Sequence, residues 1–417
     1  MIQFRRAHRG RTAMAVLLAC VVGLGVGCTP AAGPAAPAQG QTLKVGVLVH
    51  LTGPYAETGQ MQQVGAQIAT DEINAAGGIK ALGGQKLELV VRDAGSSVSD
   101  SVSAMQSLLA SNTLVAGIGT GISSNTLSIV PIAEQNKMPW LDVSFEDKIT
   151  ESGYKFIFAS SPKQSTLSDT EFPGLVDIAK QAGVNLTRIG LITSPNVTNT
   201  TAADLVRKQY APQFGWTIVM DQNIQPGSAS GGVLSTLVAQ IKQADPQVLM
   251  IGSSIDDIIA INRQMIAEGA RPKPWILNGA PFISKSFLDA LGPDGTQGIM
   301  TIASAGVFAT NKELSAKVEQ AGQVPQEYQF VPYSEIYVIA TALEQAASTD
   351  HQKVRDTIAS LDIKGGPAGS VYPCNCLRFD STGRSATSTA LVEQWQEGRV
   401  QTILPQDVAT AKAIWPQ

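Results

Sequence analysis

The sequence predicts an α/β protein built of two doubly wound, Rossmann-like lobes. Three observations carry that expectation. From Leu43 onward, apolar runs of strand length alternate with helix-length periodic segments, which gives a parallel sheet with helices on both faces. The alternation occurs twice, around a crossing near Ala159 to Pro162. A chain of 417 residues also exceeds one ordinary core, so two domains are the default.

The elements follow in order. Leu43, Val45, Val47 and Val49 mark a buried strand with Gly46 inside it. His50 to Gly59 is a loop turned at Gly53-Pro54. Met61, Val64, Ile68 and Ile73 recur at helical spacing, and Gly77-Gly78 ends that helix. Leu87 to Val91 is the next strand. This βαβ unit leaves a polar loop at the carboxyl end of its first strand, the edge where open α/β sheets bind ligands. Helix Ser99 to Ser111, strand Thr113 to Ile118, a helix ending near Asn136, and strands Pro139 to Val143 and Tyr154 to Ala159 complete the first half.

The second half repeats the pattern. Its helices are Phe172 to Gln181, Ala202 to Phe214, Leu234 to Gln243 and one from Asp256 or Asp257 to Glu268. Its strands are Arg188 to Ile192, Trp216 to Met220, Gln247 to Ile251 and Trp275 to Leu277, with Gly298 to Ala303 as a return strand. Three helices follow: Leu314 to Gln320, Tyr333 to Ala347 and Lys353 to Ser360. Leu377 to Asp380 and Ala390 to Trp395 are β-like, with turns at Gly383 and Gly398.

Composition narrows the function. Net charge is −4, charged residues are 15% and mean hydropathy is +0.07, which describes a globular, mildly acidic body and argues against a nucleic-acid partner. Arg5 to Arg11 is basic and Ala13 to Gly27 apolar but short for a permanent span, so residues 1–27 read as a signal peptide. Leu24-Gly25-Val26-Gly27-Cys28 resembles a lipoprotein processing site, with Cys28 the lipidated residue. Residues 28–41, rich in Pro, Ala and Gly, cannot bury a core and read as a tether. Cys374 and Cys376 are the cysteines of the body. They are two thiols on one face of an extended segment, a tight disulfide, or a pair of soft ligands too few for a closed zinc site.

Catalysis finds little material. His8, His50 and His351 are the only histidines, and no G-x-S-x-G elbow, Walker loop or H-E-x-x-H helix appears. Gly117, Gly119 and Gly121 lack the later glycine of a dinucleotide fingerprint. The expectation is a protein that is not an enzyme and needs no cofactor. His50 is expected to end its strand as a buried, hydrogen-bonded group.

Val47-Leu48, Leu51-Thr52-Gly53-Pro54, Gly59 and the run Asp71 to Ile79 resemble the opening of the type I periplasmic binding proteins, in the leucine/isoleucine/valine-binding branch of ABC-transporter receptors. Phe379 to Arg384 and Val392 to Gly398 resemble the closing hairpin of the same receptors, so the resemblance spans Leu43 to about Pro405. It implies two lobes joined by three crossings, with a small ligand enclosed between them and the closed form read by a membrane permease. It also implies an exported, lipid-tethered monomer. The lobes are then residues 42–160 with 303–370 and residues 161–302 with 371–405, followed by a C-terminal tail, 406–417. A ligand-sensing module acting on a partner protein is the alternative use of such a fold.

The resemblance also points to residues. Family members grip a ligand carboxylate with a Ser at the start of the helix after the third strand; Ser123 matches it, with Thr120, Ser124 and Asn125 alongside. Ser144 and Phe145 occupy the next loop, and Tyr55 and Thr58 the first. In the second lobe the candidates are Thr198, Ser253 and Ser254. Amino-acid receptors present an acid to the ligand ammonium after the following strand, but here Asn278-Gly279-Ala280 stands there. Asp256 or Asp257 substitutes for it or caps its helix. The implied ligand is amino-acid-like, an amide, or an aromatic or aliphatic acid.

Overall fold

Alternation of strand and helix builds two separate sheets. The structure, a computed structural model, describes residues 42–269, 275–277 and 282–415. The expected signal peptide, the tether with Cys28, and Asn278 lie outside the described residues. In the first sheet the order is β2-β1-β3-β4-β5, all parallel: β1 Leu43–Val49, β2 Leu87–Asp93, β3 Leu114–Thr120, β4 Trp140–Asp142 and β5 Ile157–Ala159. Helices α1 (Ala56–Ala75), α2 (Val98–Ser111), α3 (Ser123–Gln135) and the short α4 (Lys148–Glu151) connect them.

The second sheet has the order β14-β13-β10-β9-β8-β6-β7. Strands β6 (Arg188–Thr193), β7 (Thr217–Asn223), β8 (Val248–Gly252), β9 (Trp275–Leu277) and β10 (Met300–Ala303) are parallel, whereas β13 (Leu391–Gln396) and β14 (Arg399–Leu404) add an antiparallel hairpin at one edge. Its helices are α5 (Gln164–Gln181), α6 (Val197–Leu205), α7 (Ala211–Phe214), α8 (Gly231–Ala244), α9 (Ile255–Ala267) and α10 (Lys285–Thr296); one π-helical turn, Val206–Tyr210, joins α6 to α7. The chain then returns to the first sheet with α11 (Lys312–Gln320), α12 (Glu327–Ala346), α13 (His351–Ser360) and α14 (Gly366–Gly369), and with a small antiparallel pair, β11 (Asp362–Lys364) and β12 (Cys376–Arg378).

Each sheet is buried on both faces, so its central strands carry continuous apolar runs rather than alternation. Val45, Val47 and Val49 share a buried cluster with Met61, Ala66 and Ala69 of α1 and Ile336, Ile339 and Leu343 of α12. α1 and α12 touch closely because Gly65 has no side chain: a Cβ there would fall 1.9 Å from the Gln329 carbonyl oxygen. In the second lobe Leu191, Val248 and Met250 pack on Phe172, Leu175, Val206 and Tyr210.

Several boundaries differ from the expectation. α12 starts at Glu327, six residues before Tyr333, because Gln326 and Gln329 form a reciprocal capping box and Pro332 is absorbed inside the helix. α5 starts at Gln164 and runs through Pro173, its first turns too polar for apolar periodicity to reveal. α10, β11 and β14 have no counterpart among the expected elements. The return to the second lobe is later than residue 371: β12 pairs with β11, Arg384 bridges Ala159, and Leu391 is the first residue on the second sheet. Residues 406–415 are not a loose tail, since Ile414 exchanges two hydrogen bonds of 2.7 and 2.9 Å with the Gln394 side chain and Trp415 packs on the second-lobe core. Cys374 and Cys376 are joined as a disulfide with Cα atoms 5.1 Å apart, rather than standing as two thiols.

The crossings are polar and buried. The Glu327 carboxyl accepts the Ser304 backbone N–H (3.0 Å) and the Ser304 hydroxyl, and Ser304 bonds Ser161 Oγ at 3.1 Å, which ties the second crossing to the first. Glu393 of β13 is buried close by, and one carboxyl oxygen of each acid finds no hydrogen-bond partner among the described residues. Burial pushes both carboxyls from the usual 4.5 up to about 8, and Glu327 adds to the shift at Glu393. Their contribution to stability is therefore complete below the unfolded value and is lost as pH rises toward 8. Melting temperatures of Glu327→Gln and Glu393→Gln should fall less than those of the wild type between pH 5 and pH 8.5. Equal slopes would show that these carboxyls do not titrate with folding.

Candidate functional site

Three helices of the two lobes begin at strand carboxyl ends that face each other. β3 ends at Thr120 and α3 starts at Ser123; β6 ends at Thr193 and α6 starts at Val197; β8 ends at Gly252 and α9 starts at Ile255. Their first turns carry backbone N–H groups without intrahelical partners, which favours anionic groups nearby. Between them lies a narrow cavity of about 30 Å³, lined by Tyr55, Gly121, Ile122, Ser123, Ser144 and Phe145 from the first lobe side and by Asn196, Thr198, Asn199 and Ser253 from the second, with Tyr328 of α12 at its back. None of these lining side chains is charged.

The lobes touch at this point. Thr198 Oγ1 donates to Ser123 Oγ at 2.5 Å, and the Val197 backbone N–H donates to Ser124 Oγ at 2.9 Å. Further out, Thr201 donates to Glu146 (3.2 Å) and Ser286 to Glu57 (2.5 Å). Tyr55 stands edge-on to His50, ring centroids 5.9 Å apart, and its hydroxyl bonds Ser194. Burial pushes the Tyr55 phenol up to about 12, and burial also pushes the Tyr328 phenol up, so both are neutral hydroxyls near neutral pH. His50 is fully buried, its Nδ1 2.6 Å from the Gly95 carbonyl, and desolvation lowers its pKa.

Six of the expected residues come together on this cavity: Tyr55, Ser123, Ser144, Phe145, Thr198 and Ser253. Most of the other described ones serve the scaffold around it. Thr120 bonds Thr126 and the Ile122 carbonyl, bracing the loop before α3. Asn125 turns to α2, donating to Ser101 Oγ (2.7 Å) and the Ser97 carbonyl (3.1 Å). Ser254 caps α9 by accepting the Asp257 N–H. Thr58 is buried on α1 without lining the cavity. Asp256 is exposed and belongs to a wider cavity at the rim, about 470 Å³, together with Glu57, Gln60 and Lys285. The rim cavity lies outside the strand ends, so the narrow one is the candidate site.

Sequence reasoning misses Asn196, Asn199 and Tyr328. Asn196 had a signal: it caps α6, accepting the Thr198 N–H at 3.2 Å. Tyr328 had none, since α12 is more than a hundred residues from the other lining residues of either lobe except Ser253.

One residue holds the wall in place. Arg384, 2% exposed, donates to the carbonyls of Glu146 (2.6 Å), Ser144 (3.1 Å), Ser161 (3.3 Å) and Pro162 (3.4 Å) and to Thr150 Oγ1 (3.1 Å). Burial lowers its pKa against the pull of Asp142. The Asp142 carboxyl, pushed up by burial, accepts the Gly121 N–H (3.1 Å) and the Ser144 N–H (2.9 Å), and so fixes both loops of the first-lobe rim.

Two α/β lobes with a polar, uncharged cavity between their strand ends are the geometry of a solute-binding protein. Comparison with known proteins agrees. The family described as "Periplasmic binding protein" matches residues 42–399. The Leu/Ile/Val-binding protein homolog 8 of Brucella melitensis is 24% identical over 385 residues, 89% of this chain and 92% of that protein. The homolog 7 of Brucella abortus is also 24% identical and covers 92% and 96% of the two chains. Among solved structures, the branched-chain amino acid transporter substrate-binding protein LivJ of Streptococcus pneumoniae, in complex with isoleucine, superposes with a TM-score of 0.74 at 20% identity, covering 90% of this chain and 100% of that one. A solute-binding protein of R. palustris in complex with benzoate superposes with the same TM-score of 0.74 at 17% identity, covering 90% and 98%. The chain belongs to the periplasmic binding protein family, as a distant homologue of its Leu/Ile/Val-binding members, and is not an enzyme.

Replacing Arg384 by Met should leave buried carbonyls without donors and cost about 3 kcal/mol or more. Urea denaturation measures it; a loss below about 1 kcal/mol would mean the guanidinium does not hold the rim.

Proposed function

We propose that this protein is the extracytoplasmic receptor of an ABC importer. It captures a small amino-acid-like, amide or carboxylic-acid ligand in the narrow cavity, and closure of the two lobes presents the loaded form to the membrane permease. The opposed amino termini of α3 and α6, touching through Ser123 and Thr198, carry this reading. A ligand carboxylate placed at the start of α3 meets the Ser123 hydroxyl and the positive end of the helix. Phe145, packed with Leu167, Ile302 and Ala390, supplies an apolar wall for the rest of the ligand. The pairing of isoleucine with one structural relative and benzoate with another supports this range of ligands. Lipidation of Cys28 and the tether after it keep the receptor near its permease.

A thermal-shift series over leucine, isoleucine, valine, their amides, benzoate and phenylacetate tests the reading. A ligand at 100 times its Kd should stabilise by about 2.7 kcal/mol. Ser123→Ala should then weaken binding of that ligand about tenfold without unfolding the free protein. No shift with any member of the series would contradict the proposal.

A further inference from the structure

Glu335 lies inside α12, 1% exposed, and its Oε1 has no hydrogen-bond partner among the described residues. It stands about two helical turns beyond Tyr328, so the helix face that closes the back of the cavity continues down to it. Its neighbours come from three other stretches of chain: Asp142 at the end of β4, Ser160 of the first crossing, and Tyr372 after α14. All three are fully buried. On its own helix the nearest acid is Glu327, which faces Ser304 of the second crossing and acts in turn on Glu393 of β13.

The charges around Glu335 do not balance. Arg384 is the buried cation of this region, and its hydrogen bonds all go to backbone carbonyls and the Thr150 hydroxyl, none to an acid. The charged group that acts on Glu335 is Asp142, which repels a carboxylate. Ionised here, Glu335 would be both desolvated and unpaired. Burial first, and Asp142 second, push its carboxyl well above the usual range. Asp142 makes this matter for the site. Its carboxyl accepts the Gly121 N–H (3.1 Å), the Ser144 N–H (2.9 Å) and the hydroxyls of Ser144 and Thr126 (both 3.1 Å), and Gly121 and Ser144 line the cavity. Loss of the Glu335 proton sets two acids against each other between that wall, the first crossing and α12.

Resting on the lobe closure proposed above, we infer that Glu335 is a positioning residue that acts as a neutral acid, steadying the cavity wall through Asp142 and the first crossing through Ser160, so that losing its proton opens the lobes. The closed form binds this proton more tightly than an open form in which water reaches the crossing. Closure is therefore complete at low pH and is lost as pH rises.

Pulsed electron resonance between spin labels at Gln60 and Lys285, on the full chain with no solute added, reads lobe separation at pH 6 and pH 9. In the wild type the ratio of short to long distances should fall about tenfold, as linkage gives for a proton held tenfold more tightly in the closed form. Glu335→Gln, which keeps the shape of the neutral acid, should show the pH 6 distribution at both values. A wild-type distribution that is the same at both overturns the inference, and so does a Glu335→Gln variant that follows the wild-type profile. If that variant does not fold, the Glu327→Gln, Glu393→Gln double variant decides, because Glu335 is then the acid of α12 left to titrate at the crossings. A tenfold fall there supports the inference and an unchanged ratio overturns it. No solute enters this experiment, so the thermal-shift series judges the receptor reading separately: solute binding without a pH effect on distance overturns this inference alone.

Discussion

The buried Arg384 guanidinium is the contact on which the rest of the site depends. A fully desolvated cation is expensive, and this one is compensated by four backbone carbonyls and a hydroxyl rather than by a bidentate acid. Those carbonyls belong to the Ser144–Glu146 loop and to the first crossing, whereas Arg384 precedes the third crossing. Three separate stretches of chain are thereby fixed at one point. Ser144 and Phe145, which form one wall of the cavity, inherit their position from it.

Acidic side chains are kept one layer behind the cavity throughout. Asp142 stands behind Gly121 and Ser144, and Asp257 behind Ser253. The lining itself is hydroxyl, amide and aromatic. Such a surface can be desolvated at modest cost when the lobes meet, yet the buried acids still orient its hydroxyl protons. Glu327 and Glu393 extend the same arrangement to the crossings, where Ser304 and Ser161 share a proton network across two chain passages.

Much of this was legible in the chain. The βαβ unit from Leu43 to Asp93 has both periodicities and its breakers in order, and the structure reproduces it to within two residues at most ends. Ser123 was singled out by the resemblance to the family, and the structure places it at the start of α3 on the cavity wall. The start of α12 was missed: the helix expected from Tyr333 begins at Glu327, where the Gln326–Gln329 capping box opens it, and Pro332 lies inside. Thr120, Asn125 and Ser254 looked like contacts because residue type and loop position do not reveal side-chain direction. Tyr328 was illegible because only tertiary packing brings α12 to the back of the cavity.

The central claim is that two lobes shut on a solute held between the starts of α3, α6 and α9. Pulsed electron resonance between spin labels at Gln60 on α1 and Lys285 on α10, residues that flank the rim on opposite lobes, measures that motion directly. The account predicts a shorter and narrower distance distribution when a stabilising solute is added. A distribution unchanged at saturating solute would contradict it.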